Sequence, residues 1–255
     1  MIQEQVKLLS YQLRLNGIHA NFETRSSEAM AKGLQPLEFL LMLLQDEVMQ
    51  RKNRLAKSLV TRAKFRSAFD LEDWDASFER GLTKPKMREL SSLAFFNAKE
   101  NLLICGRTGE GKTHLAVALG RRLCQENQSV AFLSVNLFFE EVLASRAAGK
   151  YLGYLKKLRQ TQVLILDDFG LRNYTHEEAN TLVDLLEERA RKGPVIITSQ
   201  VEPKGWKKLF EDPVIAEAIV DRLEHPSQKI LLTGGSYREK LGSKKQRVEE
   251  AKAVL

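Results

Sequence analysis

Cysteine is scarce in this 255-residue chain, which contains only Cys105 and Cys124. Two cysteines without metal-ligand spacing exclude a disulfide framework and a thiolate-bound metal, so core thiols of a reducing cytoplasm are expected. Long apolar runs are also missing. No stretch approaches the ~18–20 residues of a membrane-spanning helix, and the polar start Met1-Ile-Gln-Glu-Gln-Val-Lys7 lacks the layout of a secretory signal. A cytoplasmic protein with no membrane partner is expected. Internal repeats and low-complexity tracts are absent as well. The length suits one large domain with a small accessory one.

Acidic residues vanish locally. Lys and Arg number 40 against 33 Asp and Glu, a formal charge of +7, which points to an acidic partner such as nucleic acid. Residues 49–69 hold no carboxylate but carry Arg51, Lys52, Arg54, Lys57, Arg62, Lys64 and Arg66. Such a segment is either a solvated helix face or a grip on phosphates. Arg51, Lys52, Arg54 and Lys57 are its candidate DNA contacts. The surrounding pattern is helical. Ile2, Val6, Leu9 and Leu13 recur at helical spacing and Asn16-Gly17 reads as a stop. A short second helix is expected over 21–32. Pro36 opens a third, with Leu37, Leu40, Leu41, Leu44 and Val48 as its apolar stripe. We therefore expect an all-α N-terminal domain over 1–66, a linker over 67–98 that begins with the acidic turn at 70–75, a core over 99–240 and a basic tail over 241–255.

What the core does contain is a phosphate loop. Gly106-Arg107-Thr108-Gly109-Glu110-Gly111-Lys112-Thr113 fits Gly-x-x-x-x-Gly-Lys-Thr. In that pattern backbone N–H groups wrap a polyphosphate, the Lys112 ammonium reaches the β- and γ-phosphates, and the Thr113 hydroxyl helps hold Mg²⁺. The apolar run before it reads as a strand and 113–124 as a helix, the setting in which a helix N-terminus receives phosphate. Further apolar runs at 130–135, 163–166, 195–198 and 230–232 alternate with helical patterns at 137–159, 175–192 and 212–225. Alternation of this kind requires a mostly parallel sheet between helices, an α/β fold.

Two of those strands end in polar residues. The run 163–166 leads into Asp167 and Asp168. Asp167 is the candidate metal ligand and Asp168 the group that orients or deprotonates water. The run 195–198 ends in Thr198, Ser199 and Gln200, and the choice between Thr198 and Ser199 as a phosphate sensor stays open. Arg222 lies near the end of an amphipathic helix, either as a helix-dipole partner or as an arginine finger for a neighbouring subunit.

Taken together, the phosphate loop followed by His114-Leu-Ala, Leu166-Asp-Asp-Phe-Gly170, Ile197-Thr-Ser-Gln200 and Gly234-Gly-Ser-Tyr-Arg238, with Trp206, Phe210, Ile219-Val-Asp-Arg-Leu223 and His225, resemble the IstB/DnaC-like family of AAA+ ATPases over nearly the whole chain. Gln200 departs from the Asn that relatives often carry. The resemblance implies a P-loop AAA+ core without a helical lid, which suits the 17 residues after Arg238. It makes Arg222 the arginine finger and Arg238 a second sensor on the nucleotide. It also gives meaning to residues 142–162, another carboxylate-free segment, because loaders and initiators of this class place a helix there facing a DNA channel. Arg146, Lys150, Tyr151, Lys156, Lys157 and Arg159 are the candidate DNA contacts in it, with a solvated basic face as the bland alternative.

The expectation is then an ATP- and Mg²⁺-dependent regulator of transposition. It would be a homo-oligomer with ATP sites between subunits that assembles on duplex DNA with little sequence preference, stimulates a cognate transposase, and hydrolyses ATP slowly to disassemble. A DnaC-like helicase loader binding single-stranded DNA is the alternative. A small-molecule kinase would need an acceptor pocket and a mobile lid, and the sequence offers neither. A scaffold that binds ATP without hydrolysing it is allowed.

Overall fold

Where the chain alternates apolar runs with helical patterns, it closes into a single parallel sheet. The computed structural model describes residues 2–75, 80–190 and 192–237. Two compact units emerge, Met1–Leu59 and Val60–Leu255.

The first unit is helical, built from α1 (Ile2–Gln12), α2 (Asn16–Lys32) and α3 (Pro36–Ala63), whose last residues fall in the second unit. Asn16-Gly17 does not stop a helix; it starts one. Arg14, at φ 58, ends α1 instead. Gly17 is needed because a Cβ there would lie 2.5 Å from the Asp46 carbonyl oxygen, so α2 and α3 cross at backbone contact. The buried Glu47 carboxylate then accepts from the N–H groups of Gly17 (2.7 Å) and Ile18 (3.4 Å), satisfying donors that a helix start leaves free. Burial opposes ionisation of Glu47, but Arg51 and those two N–H groups outweigh it and hold its carboxyl below the usual range. The core of this unit is Ile18, Phe22 and Leu43, with Val6, Leu15 and Phe39 packed on it. The stripe Leu37, Leu40, Leu41, Leu44 and Val48 is exposed rather than buried.

In the second unit, α4 (Lys84–Ser91) and α5 (Ala94–Asn97) precede β1 (Asn101–Cys105), α6 (Lys112–Gln125), β2 (Val130–Ser134), α7 (Val135–Ala147) and α8 (Tyr151–Gln160). Then come β3 (Val163–Phe169), α9 (His176–Arg189), β4 (Val195–Ser199), α10 (Pro213–Glu224) and β5 (Ser227–Leu231). All pairings are parallel, in the order β2-β3-β4-β1-β5. Strand alternation sorts side chains to two faces. Leu103, Leu133, Leu164, Leu166, Val195 and Ile197 join residues of α7, α9 and α10 in one core. Ile165 points the other way and meets α6 at Gly120. Both cysteines are buried, and burial pushes each thiol up to about 11.

The expected single helix over 137–159 is two. Gly149, at φ 66, terminates α7, and the N–H groups of Gly149 and Lys150 close back on the carbonyls of Arg146 and Ser145. The helices α8 and α9 and the starts of β3 and β4 are tied by one residue. Arg189, 1% exposed, donates to the carbonyls of Leu158, Thr161, Gln162, Gly193 and Pro194. With no carboxylate in its ion pairs among the described residues, burial pulls its pKa down to about 10. Replacing it removes a donor from each of these five carbonyls and leaves a gap in the core of the unit. Arg189→Met should therefore destabilise the second unit by about 3 kcal/mol or more. Urea unfolding followed by tryptophan fluorescence checks this, since Trp74 and Trp206 both lie in that unit.

Candidate nucleotide-binding site

Beyond Cys105 the backbone must turn sharply to begin α6, and two left-handed glycines, Gly109 (φ 87) and Gly111 (φ 98), permit it. The turn leaves Lys112 at the first position of α6, 6% exposed, with its ammonium donating to the Arg107 carbonyl at 2.8 Å. Burial lowers its pKa, while Asp168, Glu110 and Asp167 pull the other way. Thr108, Gly109, Gly111, Lys112 and Thr113 line a cleft of about 740 Å³. Gly106, Arg107 and Glu110 instead line a separate hollow behind the loop. Glu110 is buried and its carboxylate accepts from the Arg107 N–H at 2.5 Å. It braces the loop rather than facing the cleft.

Across the cleft, β3 delivers both aspartates. Neighbours on a regular strand point to opposite faces. Here the register between β3 and β4 slips by one residue between Leu166 and Phe169, and Asp168 takes the left-handed conformation at φ 62. A bulge of this kind re-aims side chains, and Asp167 and Asp168 both line the cleft. The Asp167 carboxylate accepts from the hydroxyls of Thr113 (2.9 Å) and Thr198 (2.6 Å), and the Thr198 oxygen accepts from the Asp168 N–H (2.9 Å). Asp167 is 1% exposed. Burial pushes its carboxyl above the usual range; the Thr198 and Thr113 hydrogen bonds and the nearby Arg66 guanidinium oppose that, and Asp168 adds to it. A Thr113 hydroxyl that gives its proton to Asp167 presents its lone pairs outward. Two hard oxygens 2.9 Å apart fit Mg²⁺, which takes one or two protein oxygens and completes its shell with phosphates and water.

The structure separates Thr198 from Ser199. Ser199 turns to the opposite face, donating to the Phe169 carbonyl at 2.7 Å and accepting from the Trp206 indole N–H. Gln200 reaches the phosphate loop, where its carboxamide oxygen accepts from the Thr108 hydroxyl at 2.9 Å. Arg222 is not in this cleft. Its backbone carbonyl is bonded to Asn101, at the opposite end of β1 from the phosphate loop, roughly 15 Å away along the strand. Its guanidinium meets Glu187 at 2.6 Å and the Ala218 carbonyl at 2.8 Å. Arg238 lies outside the described residues. The two residues before it reach the loop, with the Tyr237 N–H donating to the Gly109 carbonyl at 3.0 Å.

The candidate DNA contacts divide in the same way. Arg146 pairs with Glu177 and stacks over Tyr151, whose ring packs against the core, and Arg159 pairs with Glu188. Lys150, Lys156 and Lys157 are exposed. In the first unit Arg51 pairs with Glu47, Arg54 meets the Asn16 carboxamide, and Lys52 is exposed; Lys57 lies on the same helix, α3.

One wall of the cleft was not foreseen. Arg66, Phe69, Asp73 and Arg80 line it together with His114 and Tyr237. Phe69 stacks on His114 with centroids 4.0 Å apart, Trp74 meets His114 edge-on, and the Arg80 guanidinium lies 3.5 Å over Trp74. This flat, aromatic and cationic wall suits a nucleobase. Phe69, Asp73, Trp74 and Arg80 sit in the expected linker and Arg66 at the end of the expected N-terminal domain, and Asp70 anchors the stretch by a two-pronged ion pair with Arg121 on α6. The signal available was the pair of aromatics, Phe69 and Trp74, in an otherwise polar turn.

A model of the IstB-like ATP binding protein family matches residues 9–245. The chain belongs to this family. A relative from Pseudomonas aeruginosa, bearing the name of an ATP-binding protein of insertion sequence IS21, is 33% identical over 236 residues, which is 92% of this chain and 89% of its own. One from Mycobacterium tuberculosis, named as an ATP-binding protein in an insertion sequence, is 33% identical over 227 residues, covering 89% and 90%. The crystal structure of DnaI shares the fold, with a TM-score of 0.54 at 21% identity over 71% of this chain and 92% of that one.

The buried charge of Asp167 has a measurable consequence in this IstB-family protein. Its folded pKa is raised, so ionisation costs stability above the carboxyl's ordinary range and nothing below it. Asp167→Asn should raise nucleotide-free stability by about 1 kcal/mol at pH 7. The gain should vanish below about pH 4. Thermal unfolding of both proteins at the two pH values measures it.

Proposed function

We propose that this protein is an ATP-dependent regulator of transposition that assembles on duplex DNA and stimulates a partner transposase. The observation that carries the proposal is the cleft in which Lys112, Thr113, Asp167 and Asp168 converge at the C-terminal ends of β1 and β3. The insertion-sequence names of relatives that match about nine-tenths of the chain favour transposition over helicase loading.

In this reading the loop N–H groups and Lys112 bind the triphosphate, and the wall of Phe69, Trp74 and Arg80 takes the base. Thr113 and Asp167 hold Mg²⁺, which when bound screens the phosphate charge. Asp168, turned into the cleft by the bulge, orients and deprotonates the attacking water, and Thr198 keeps the two aspartates in register. Arg222 serves the ATP site of a neighbouring subunit, which accounts for its place at the far end of the sheet. Bound ATP thus orders an oligomer, and hydrolysis releases it. The exposed Lys150, Lys156 and Lys157 on and beside α8 contact DNA phosphates. Contacts of this kind carry no sequence information, so the proposed assembly on DNA has little sequence preference.

Filter binding and electron microscopy test the switch. Lys112→Ala should fail to form DNA-bound oligomers with a non-hydrolysable ATP analogue, and equal assembly without nucleotide binding refutes the proposal. Arg222→Ala should lose about 10³-fold in ATP hydrolysis while still binding ATP. Mixing it with Lys112→Ala protein should restore hydrolysis at mixed interfaces. Changing Lys150, Lys156 and Lys157 together to Gln should flatten the slope of log affinity against log salt by about 2–3.

A further inference from the structure

A cation that the proposed chemistry does not use stands at the acidic end of the cleft. Arg66 follows the end of α3 by three residues, and Lys64, at φ 57, turns the chain there. The chain is anchored on both sides of Arg66. Phe65 meets Phe132 edge-on and packs at Gly120, and Phe69 stacks on His114. Arg66 thus lines the same cleft as Lys112, Thr113, Asp167 and Asp168. Its side-chain hydrogen bond among the described residues goes to a neutral group, the Ser134 hydroxyl, at 2.9 Å. Ser134 is the register partner of Asp167 across β2 and β3 and caps α7 by accepting from the Leu137 N–H.

Charge balance indicates what this cation is for. Among the described residues the cleft is lined by three cations, Arg66, Arg80 and Lys112, and three carboxylates, Asp73, Asp167 and Asp168. Without Arg66 the lining carries one excess negative charge, facing a ligand that is itself an anion even with its metal. A guanidinium engaged by one hydroxyl keeps further N–H donors in a geometry that matches phosphate oxygens. Lys112 sits at the loop, and Arg66 sits beside Asp167 on the opposite side.

We propose that Arg66 is a phosphate-reading residue of the chain's own ATP site, which exchanges the Ser134 hydroxyl for an oxygen of the terminal phosphate. This rests on the cleft being a nucleoside triphosphate site. It goes beyond that reading by giving the chain a cation that distinguishes ATP from ADP in the single subunit, before any neighbour supplies Arg222. Because Ser134 also caps α7, the exchange frees the cap hydroxyl of its second partner only when the terminal phosphate is present.

Equilibrium titrations with N-methylanthraniloyl ATP and ADP test it, using the full chain and the variants Arg66→Ala, Arg66→Lys, Ser134→Ala and Lys112→Ala. Arg66→Ala should weaken ATP about tenfold and ADP less than about twofold. Arg66→Lys should recover part of the loss, and Ser134→Ala should keep the ATP-to-ADP ratio within about twofold of the wild type. Equal weakening of both nucleotides by Arg66→Ala, or none, overturns the proposal and leaves the nucleotide site standing, provided Lys112→Ala abolishes binding. A wild-type protein that binds neither nucleotide overturns this inference and the nucleotide site together. A melting temperature lowered in Arg66→Ala and Ser134→Ala alike, with an unchanged ratio, assigns Arg66 a packing role and also overturns it.

Discussion

The Asp167 carboxylate is the point on which the cleft depends. It is almost wholly buried and joins α6, through Thr113, to β4, through Thr198. A carboxylate deprived of water is costly unless it is hydrogen-bonded, and the two hydroxyls meet that requirement while fixing the distance between the phosphate loop and the sheet. Thr198 then accepts from the Asp168 N–H, so the same contact holds the bulge that turns Asp168 inward. Left-handed backbone at a non-glycine residue is strained, and such strain persists where surrounding contacts over-determine it. The ordering runs from one buried charge to the geometry of a second. Placing a cation opposite it, at Arg66, is a natural complement.

Much of this was legible in the sequence because it depends on local chemistry. Gly-Lys-Thr after an apolar run specifies a helix start with open N–H groups, and the five strands fall within a few residues of where their apolar runs place them. Other features depend on tertiary contacts and left no local trace. Asn16-Gly17 looks like a helix stop by propensity, yet Glu47, about 30 residues away, supplies the cap that makes it a start. Residues 137–159 have unbroken helical character, and only the left-handed Gly149 divides them. Thr198 and Ser199 are equally polar on paper. Their separation follows from the pleat, once the neighbour of each face is known. Lys150, Lys156 and Lys157 stand exposed while Arg146 and Arg159 do not stand alone, because the acidic partners Glu177 and Glu188 come from another helix, α9.

Residues 66–75 and Arg80 carry more than their sequence suggests. The acidic turn at 70–75 reads as a boundary between domains, and Arg66, Phe69, Asp73 and Arg80 in and around it form a wall of the cleft. Asp70 on Arg121 and Phe65 at Gly120 explain how the chain after α3 is held against α6. Gly120 matters as much as the phenylalanine, since a Cβ at that position would lie 2.7 Å from the Phe65 ring. The cleft therefore takes part of its lining from a stretch that carries no motif, beside those that do.

The position of Arg222 imposes a further constraint. Parallel strands bring every C-terminal end to one side of the sheet, which is why the phosphate loop and both aspartates can meet there. Arg222 is tied through its own carbonyl to Asn101, at the start of β1 and so at the other side. A guanidinium reaches only a few ångströms beyond its backbone, and no choice of rotamer carries it across the sheet. If this arginine acts on a terminal phosphate at all, that phosphate must belong to another copy of the chain. Its pairing with Glu187 is then the contact it keeps when no neighbour is present, and a partly exposed pair of this kind is weak enough to exchange. Assembly on DNA and completion of the ATP site become the same event in that arrangement. In the proposed arrangement, one buried carboxylate sets up half of the site and a neighbouring copy of the chain supplies the other half.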